Sequence, residues 1–260
     1  MTTRYQFIHF DSSTATYIND PLNTSGNALT PYYAKFPMSQ GFSKIRRVHL
    51  KSLELPVGFT NIRKGSTDSF QFVLNNQSYS IVLAENYYKT IDTLLADLNS
   101  ALVGKVPFIN IVATLNGTKI RLTFSGSTTV TQFKVIDTNF SKFVLGFRGD
   151  RDTLVGVYYN ANYCNYNLFY DNYILMSIPS LNAVNASMTG QNCTFKIPLN
   201  CITNQVYYYF DHMAFSQWVD ITDPRLRVTD LTIVLYDKFG KNINPHGLDY
   251  SFTLAIEYFV

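Results

Sequence analysis

Four histidines, three cysteines and a thin scatter of carboxylates carry what chemistry this chain has to offer, and their spacing decides what they can do. His9, His49, His212 and His246 show no HxH, HxxxH or HExxH pattern, so no single strand or helix presents two imidazoles to one metal ion. His212 beside Asp211 and His246 after Pro245 would have to be paired by folding, and read as surface or turn residues. Cys164, Cys193 and Cys201 form no CxxC and leave an odd thiol, which points to buried free thiols rather than a disulfide framework. Cys164 has no histidine near it in sequence to act as its base, and no GxSxG turn occurs. Glycoside hydrolysis needs two carboxyl groups roughly 5–10 Å apart. Glu54, Glu85 and Glu257 are available, but Glu54 and Glu257 fall on the polar phase of strands, where solvated side chains belong. Gly126, Gly146, Gly156 and Gly240 are isolated and read as turns or caps, not a phosphate cradle. The expectation is no catalytic, cofactor-binding or metal-binding residue.

The most unusual stretch is 158–170, Tyr-Tyr-Asn-Ala-Asn-Tyr-Cys-Asn-Tyr-Asn-Leu-Phe-Tyr. Aromatics interleaved with Asn stack sugars or bases, but no cation lies between Arg151 and Lys196 to meet a phosphate backbone. A Tyr/Asn-rich subunit interface explains the composition better than a glycan site, and Tyr207-Tyr-Tyr-Phe210 takes the same reading. The formal charge of +3, from 21 basic and 18 acidic residues, is too weak and dispersed for specific nucleic acid binding. Met1-Thr-Thr-Arg-Tyr-Gln lacks the zones of a signal peptide, and no apolar run reaches the roughly 18 residues of a transmembrane segment, so synthesis in the cytosol is expected.

The elements that position these residues are strands. Composition favours them: 46% hydrophobic, only 15% charged, with 20 Phe and 19 Tyr. In 249–260 the residues Phe252, Leu254, Ile256, Tyr258 and Val260 share one face of a strand that is expected to end inside an antiparallel sheet. In 44–56, Val48 and Leu50 share one phase and Leu53 and Leu55 the other, so the slip at Lys51-Ser52 predicts a β-bulge or a bend between sheets, before Pro56 stops the strand.

Residues 1–40 show no sustained period and are broken by Pro21, Pro31 and Pro37, yet hold Tyr5, Phe7, Phe10, Tyr17, Tyr32, Tyr33 and Phe36. They read as an N-terminal arm that docks on its own body or on a neighbour, and whose deletion weakens assembly but leaves the body folded. Residues 68–147 read as an inserted ββαββ domain. It has a hairpin turning at Asn75-Asn76 and a helix whose Ile91, Leu94, Leu95, Leu98 and Leu102 make one buried stripe behind Thr90 as N-cap. A second hairpin turns at Asn116-Gly117, 130–136 reads as a further strand, and 139–147 as a helical turn closed by Gly146. Strands then follow at 173–178, 194–199, 206–210, 228–236 and 251–260. The resulting fold is all-β: a single eight-stranded jelly-roll β-sandwich, 41–67 with 148–260, carrying the insert in an early loop.

Several motifs together resemble a known family. They are Arg47-Val-His-Leu-Lys-Ser-Leu-Glu-Leu-Pro56, Tyr79-Ser-Ile to Asn86-Tyr-Tyr with Leu94-Leu-Ala-Asp-Leu-Asn99, Leu145-Gly-Phe147, and Leu231–Gly240 leading to Ser251-Phe-Thr-Leu-Ala-Ile. Across 44–260 the chain resembles the penton, or minor capsid, proteins of virophages and large eukaryotic DNA viruses; the first forty residues carry no matching motif. The resemblance implies a structural protein of the virion, not an enzyme and without cofactor, made in the host cytoplasm. It would form a homopentamer at the icosahedral vertices beside capsomers of the major capsid protein, with the insert available to a host receptor or fibre. A trimeric fibre or receptor-binding module with glycan affinity shares the composition and stands as the alternative.

Overall fold

Phe252, Leu254 and Ile256 are buried along one face of the strand Ser251–Phe259, which is hydrogen-bonded on both sides. The structure, a computed structural model, describes residues 2–18, 33–57, 60–149, 157–168, 172–181, 193–199, 205–211, 218–221, 223, 227–243 and 249–260. Two units divide the chain, Met1–Phe59 with Asp171–Val260, and Thr60–Tyr170. The first opens with β1 (Thr3–Asp11), β2 (Thr16–Ile18), β3 (Tyr33–Ser43) and β4 (Ile45–Pro56). The inserted unit holds β5 (Ser69–Leu74), β6 (Gln77–Val82), α1 (Ile91–Leu102), β7 (Ile109–Asn116), β8 (Lys119–Gly126), β9 (Phe133–Ile136) and β10 (Tyr158–Asn160). The first unit then resumes with β11 (Tyr173–Ser177), β12 (Phe195–Pro198), β13 (Val206–Phe210), β14 (Val219–Asp220), β15 (Arg227–Tyr236) and β16 (Ser251–Phe259).

In the first unit one sheet runs β1-β16-β4-β13, with β14 also on β4, and the other β12-β11-β15-β3-β2. The antiparallel pairings nest: β1 with β16, β3 with β15, β4 with β13, β11 with β12. A long hairpin rolled so that first meets last, second meets seventh, third meets sixth and fourth meets fifth is a jelly roll. One core fills it, from Phe10, Phe36 and Phe252 through Val48, Leu53, Ile174, Ile197, Leu231 and Leu254. The predicted slip in β4 is a bulge: Thr253 pairs with Ser52 but Leu254 with Leu50, leaving Lys51 extra. The extra residue turns both Val48-Leu50 and Leu53-Leu55 inward.

The supposed N-terminal arm is corrected by this topology. β1 and β3 are principal strands, one in each sheet, and Phe10 and Phe36 lie in the core. Phe10 stacks on Phe252 at 4.8 Å, and Phe36 meets both rings edge-on at 5.7 and 5.4 Å. Pro37, a breaker by its sequence, sits in β3 opposite Asp230, beside a register shift between Val228 and Asp230 where a missing N–H is tolerated.

The inserted unit has two three-stranded sheets, β6-β5-β9 and β10-β8-β7. Asn75 and Asn76 both have positive φ, 48° and 65°, as a two-residue turn matching strand twist requires. The predicted helical stripe is buried residue for residue, although the Thr90 side chain makes no capping bond. The Asn99 side chain reaches β7, donating to the Ala113 carbonyl at 2.9 Å and accepting from its N–H at 2.6 Å, so an amide covers part of a strand edge. The expected boundary at 147 falls short, because β10 pairs with β8 and buries Tyr159 against Phe133 and Phe147. Gly146, at φ 80°, lies so close to the Cys164 carbonyl that a Cβ would stand 2.2 Å from its oxygen.

Candidate interaction surfaces

Among the described residues, the candidate chemical side chains gather into no metal-ligand cluster. His9 is exposed and meets Thr253 Oγ1 at 3.3 Å, whereas His49 is buried. His212, His246, Gly156 and Cys201 lie outside the described residues. Burial pushes the thiols of Cys164 and Cys193 up, away from the reactive thiolate.

Glu54 is exposed and accepts from Ser251 Oγ at 3.2 Å, but Glu257, expected in solvent, is fully buried. It points away from the core, and its carboxylate is held by two guanidinium groups. Arg46 Nη1 donates to Oε1 at 2.8 Å and Arg47 Nε donates to Oε2. Burial pushes the carboxyl up, and the hydrogen bonds from Arg47 and Arg46 outweigh it, holding Glu257 below the usual glutamate range. Trp218 lies 4.5 Å from the Arg47 guanidinium and 5.2 Å from the His49 ring, while His49 Nε2 is 2.8 Å from Asp211 Oδ2, beside Lys51 at 3.3 Å. This sheet face thus carries a cross-strand ionic centre in which the carboxylates of Glu257 and Asp211 are buried while Arg46 stays half exposed, its members lying on β4 and β16, just after β13 and, for Trp218, just before β14.

Aromatics flank that centre. Alternation turns Ile8 and Phe10 inward on β1 and leaves Tyr5 (55% exposed) and Phe7 (64%) outward. On β13, Tyr207 and Tyr209 turn inward and Tyr208 (57%) and Phe210 (59%) outward. β1 and β13 are opposite ends of the sheet path β1-β16-β4-β13. One sheet face therefore bears an exposed aromatic pair at each end, the first reaching inward through Tyr5 to Trp218 at 6.0 Å.

The Tyr/Asn run has cations after all, supplied from other parts of the inserted unit. Arg121 lies 4.5 Å over the exposed Tyr158 ring and donates to Asn160 Oδ1 at 2.9 Å. Lys142 and Arg148 lie 5.8 and 5.4 Å from Tyr163. Asn162 accepts from the Arg148 N–H at 2.8 Å and donates to its carbonyl at 3.0 Å. The Asn162 amide is thereby used at both ends in closing the loop, and the Asn160 oxygen is taken by Arg121.

The class defined by this topology is a single jelly roll interrupted between its third and fourth principal strands by a helix-bearing β unit. A solved structure of the mavirus penton protein is similar to the chain, with a TM-score of 0.51 at 11% identity, covering 97% of this chain and 99% of that one. The likeness is one of fold and extends over both units. No protein-family model matches the chain, and no curated protein is similar to it in sequence.

Proposed function

We propose that this chain is a structural capsid protein that assembles as a homopentamer at icosahedral vertices, among capsomers of a major capsid protein. The observation that carries the reading is the fold likeness to a penton protein across nearly the full length of both chains, insert included. The outer sheet face supports it. A five-membered ring needs a heterologous contact, in which one patch meets a different patch on the next copy. Tyr5 with Phe7, and Tyr208 with Phe210, supply two such patches on opposite strands of one sheet. Aromatic anchors are the residues that most often dominate interface energies. The inserted unit remains free for a host receptor or a fibre, and no step of this role requires a catalytic group.

Light scattering of the purified chain tests it. The expected mass is five times 29.7 kDa, reduced to that of a monomer by either Phe7→Glu or Phe210→Glu with the far-ultraviolet spectrum unchanged. A stable trimer would move the reading to a fibre or receptor-binding module. A pentamer indifferent to both substitutions would remove these patches from the contact.

A further inference from the structure

Between α1 and β7 the chain makes a short loop, Val-Gly-Lys-Val-Pro-Phe at 103–108, whose apolar residues are treated in two opposite ways. Val106 is buried and anchors the loop, while Val103 and Phe108 are 72% and 76% exposed. Phe108 also has φ 63°, a left-handed conformation that a bulky non-glycine residue rarely adopts. Two neighbours fix it there. The Phe108 carbonyl accepts from Ser127 N at 3.1 Å, and a Cβ on Gly126 would stand 2.2 Å from that same oxygen, so only glycine leaves room for it. The unit thus maintains an unfavourable backbone that holds a phenyl ring in water.

Charge indicates what the ring is for. Lys105 is the one charged residue within the loop, and the stretches that strand pairing brings beside it, 109–113 and 122–127, hold neither a carboxylate nor a further cation, Lys119 and Arg121 lying toward the far end of that hairpin. A loop with two exposed apolar side chains and a lysine fits a bilayer interface, which needs no preformed pocket and attracts cations where its headgroups are anionic. We infer that loop 103–108 is a membrane-docking tip, with Phe108 and Val103 entering the interfacial region of an anionic lipid surface and Lys105 lying at the headgroups. The inference stands on the inserted unit alone and is independent of the capsid reading.

The test is capture of fluorescent vesicles by beads carrying the full chain at high density, which compensates for a weak single contact by avidity. Phosphatidylcholine vesicles containing phosphatidylserine are expected to be captured, less so at high salt or without the anionic lipid. Phe108→Ser is expected to reduce capture about tenfold, the order of one buried aromatic side chain. Phe108→Gly should lose capture equally while raising the melting temperature, because it relieves the left-handed strain; a merely structural Phe108 would lower it. No capture by the wild-type chain, capture undiminished in both variants, or loss of oligomer mass in Phe108→Ser would each overturn the inference, the last by making the tip a contact between copies.

Discussion

Replacing Phe10 with alanine tests whether the N-terminal residues are part of the jelly roll or a loosely docked arm. Phe10 is 5% exposed, stacked on Phe252 at 4.8 Å and edge-on to Phe36 at 5.7 Å. Truncating a buried phenylalanine loses its transfer free energy and leaves a cavity, together about 3–5 kcal/mol, and the ring pairings put this site in the middle of that range, about 4 kcal/mol. For a unit of this size that is a fall in Tm of roughly 12 °C. The control is Phe7→Ala, three residues away on the same strand but 64% exposed, which should change monomer stability by no more than about 0.5 kcal/mol. Urea unfolding followed by tryptophan emission suits the comparison, because the single tryptophan, Trp218, belongs to the jelly-roll unit and reports on it alone. A Phe10→Ala cost below about 1 kcal/mol, or a Phe7→Ala cost equal to it, would refute the assignment of β1 to the core. The same reasoning makes deletion of residues 1–40 a loss of one principal strand from each sheet, so the truncated chain should not fold.

Glu257 should give the acid limb of the stability curve. Its folded-state pKa is depressed, so its ionic stabilisation is complete above the ordinary glutamate range and is lost as pH falls through the lower folded value. Glu257→Gln should flatten that limb in unfolding curves measured from neutral to acid pH, and an unchanged limb would show that the Arg46–Glu257–Arg47 centre does not control it. Gly146→Ala should destabilise the inserted unit by roughly 2 kcal/mol or more, combining a left-handed φ of 80° with a Cβ placed 2.2 Å from the Cys164 carbonyl. Faster hydrogen exchange of β8 and β10 amides would register it, and wild-type protection would refute the close approach.

Much of the fold was legible locally because the signals that set it are local. A period of two in β16, the slip at Lys51-Ser52 in β4, the leucine stripe of α1 and the Asn75-Asn76 turn each need only neighbours in sequence to be read. β1 resisted the same reading because both its faces are apolar, with Phe10 inward and Tyr5 and Phe7 outward, so no alternation remains. β3 was hidden by Pro37, which is harmless only because it stands beside a bulge against β15. The surfaces were less legible still. Glu257 looks like any polar strand residue until β4, some 210 positions away, brings Arg46 and Arg47 beside it. Arg121 reaches Tyr158 in the same way, through the pairing of β8 with β10. Sequence by itself determined the fold class and those elements with a clear period or turn signal, such as β4, β16 and α1, since periodicity and turn chemistry act between near neighbours. Only tertiary structure decided which charges are dry and which aromatics face outward, since burial depends on what the rest of the chain places across each face.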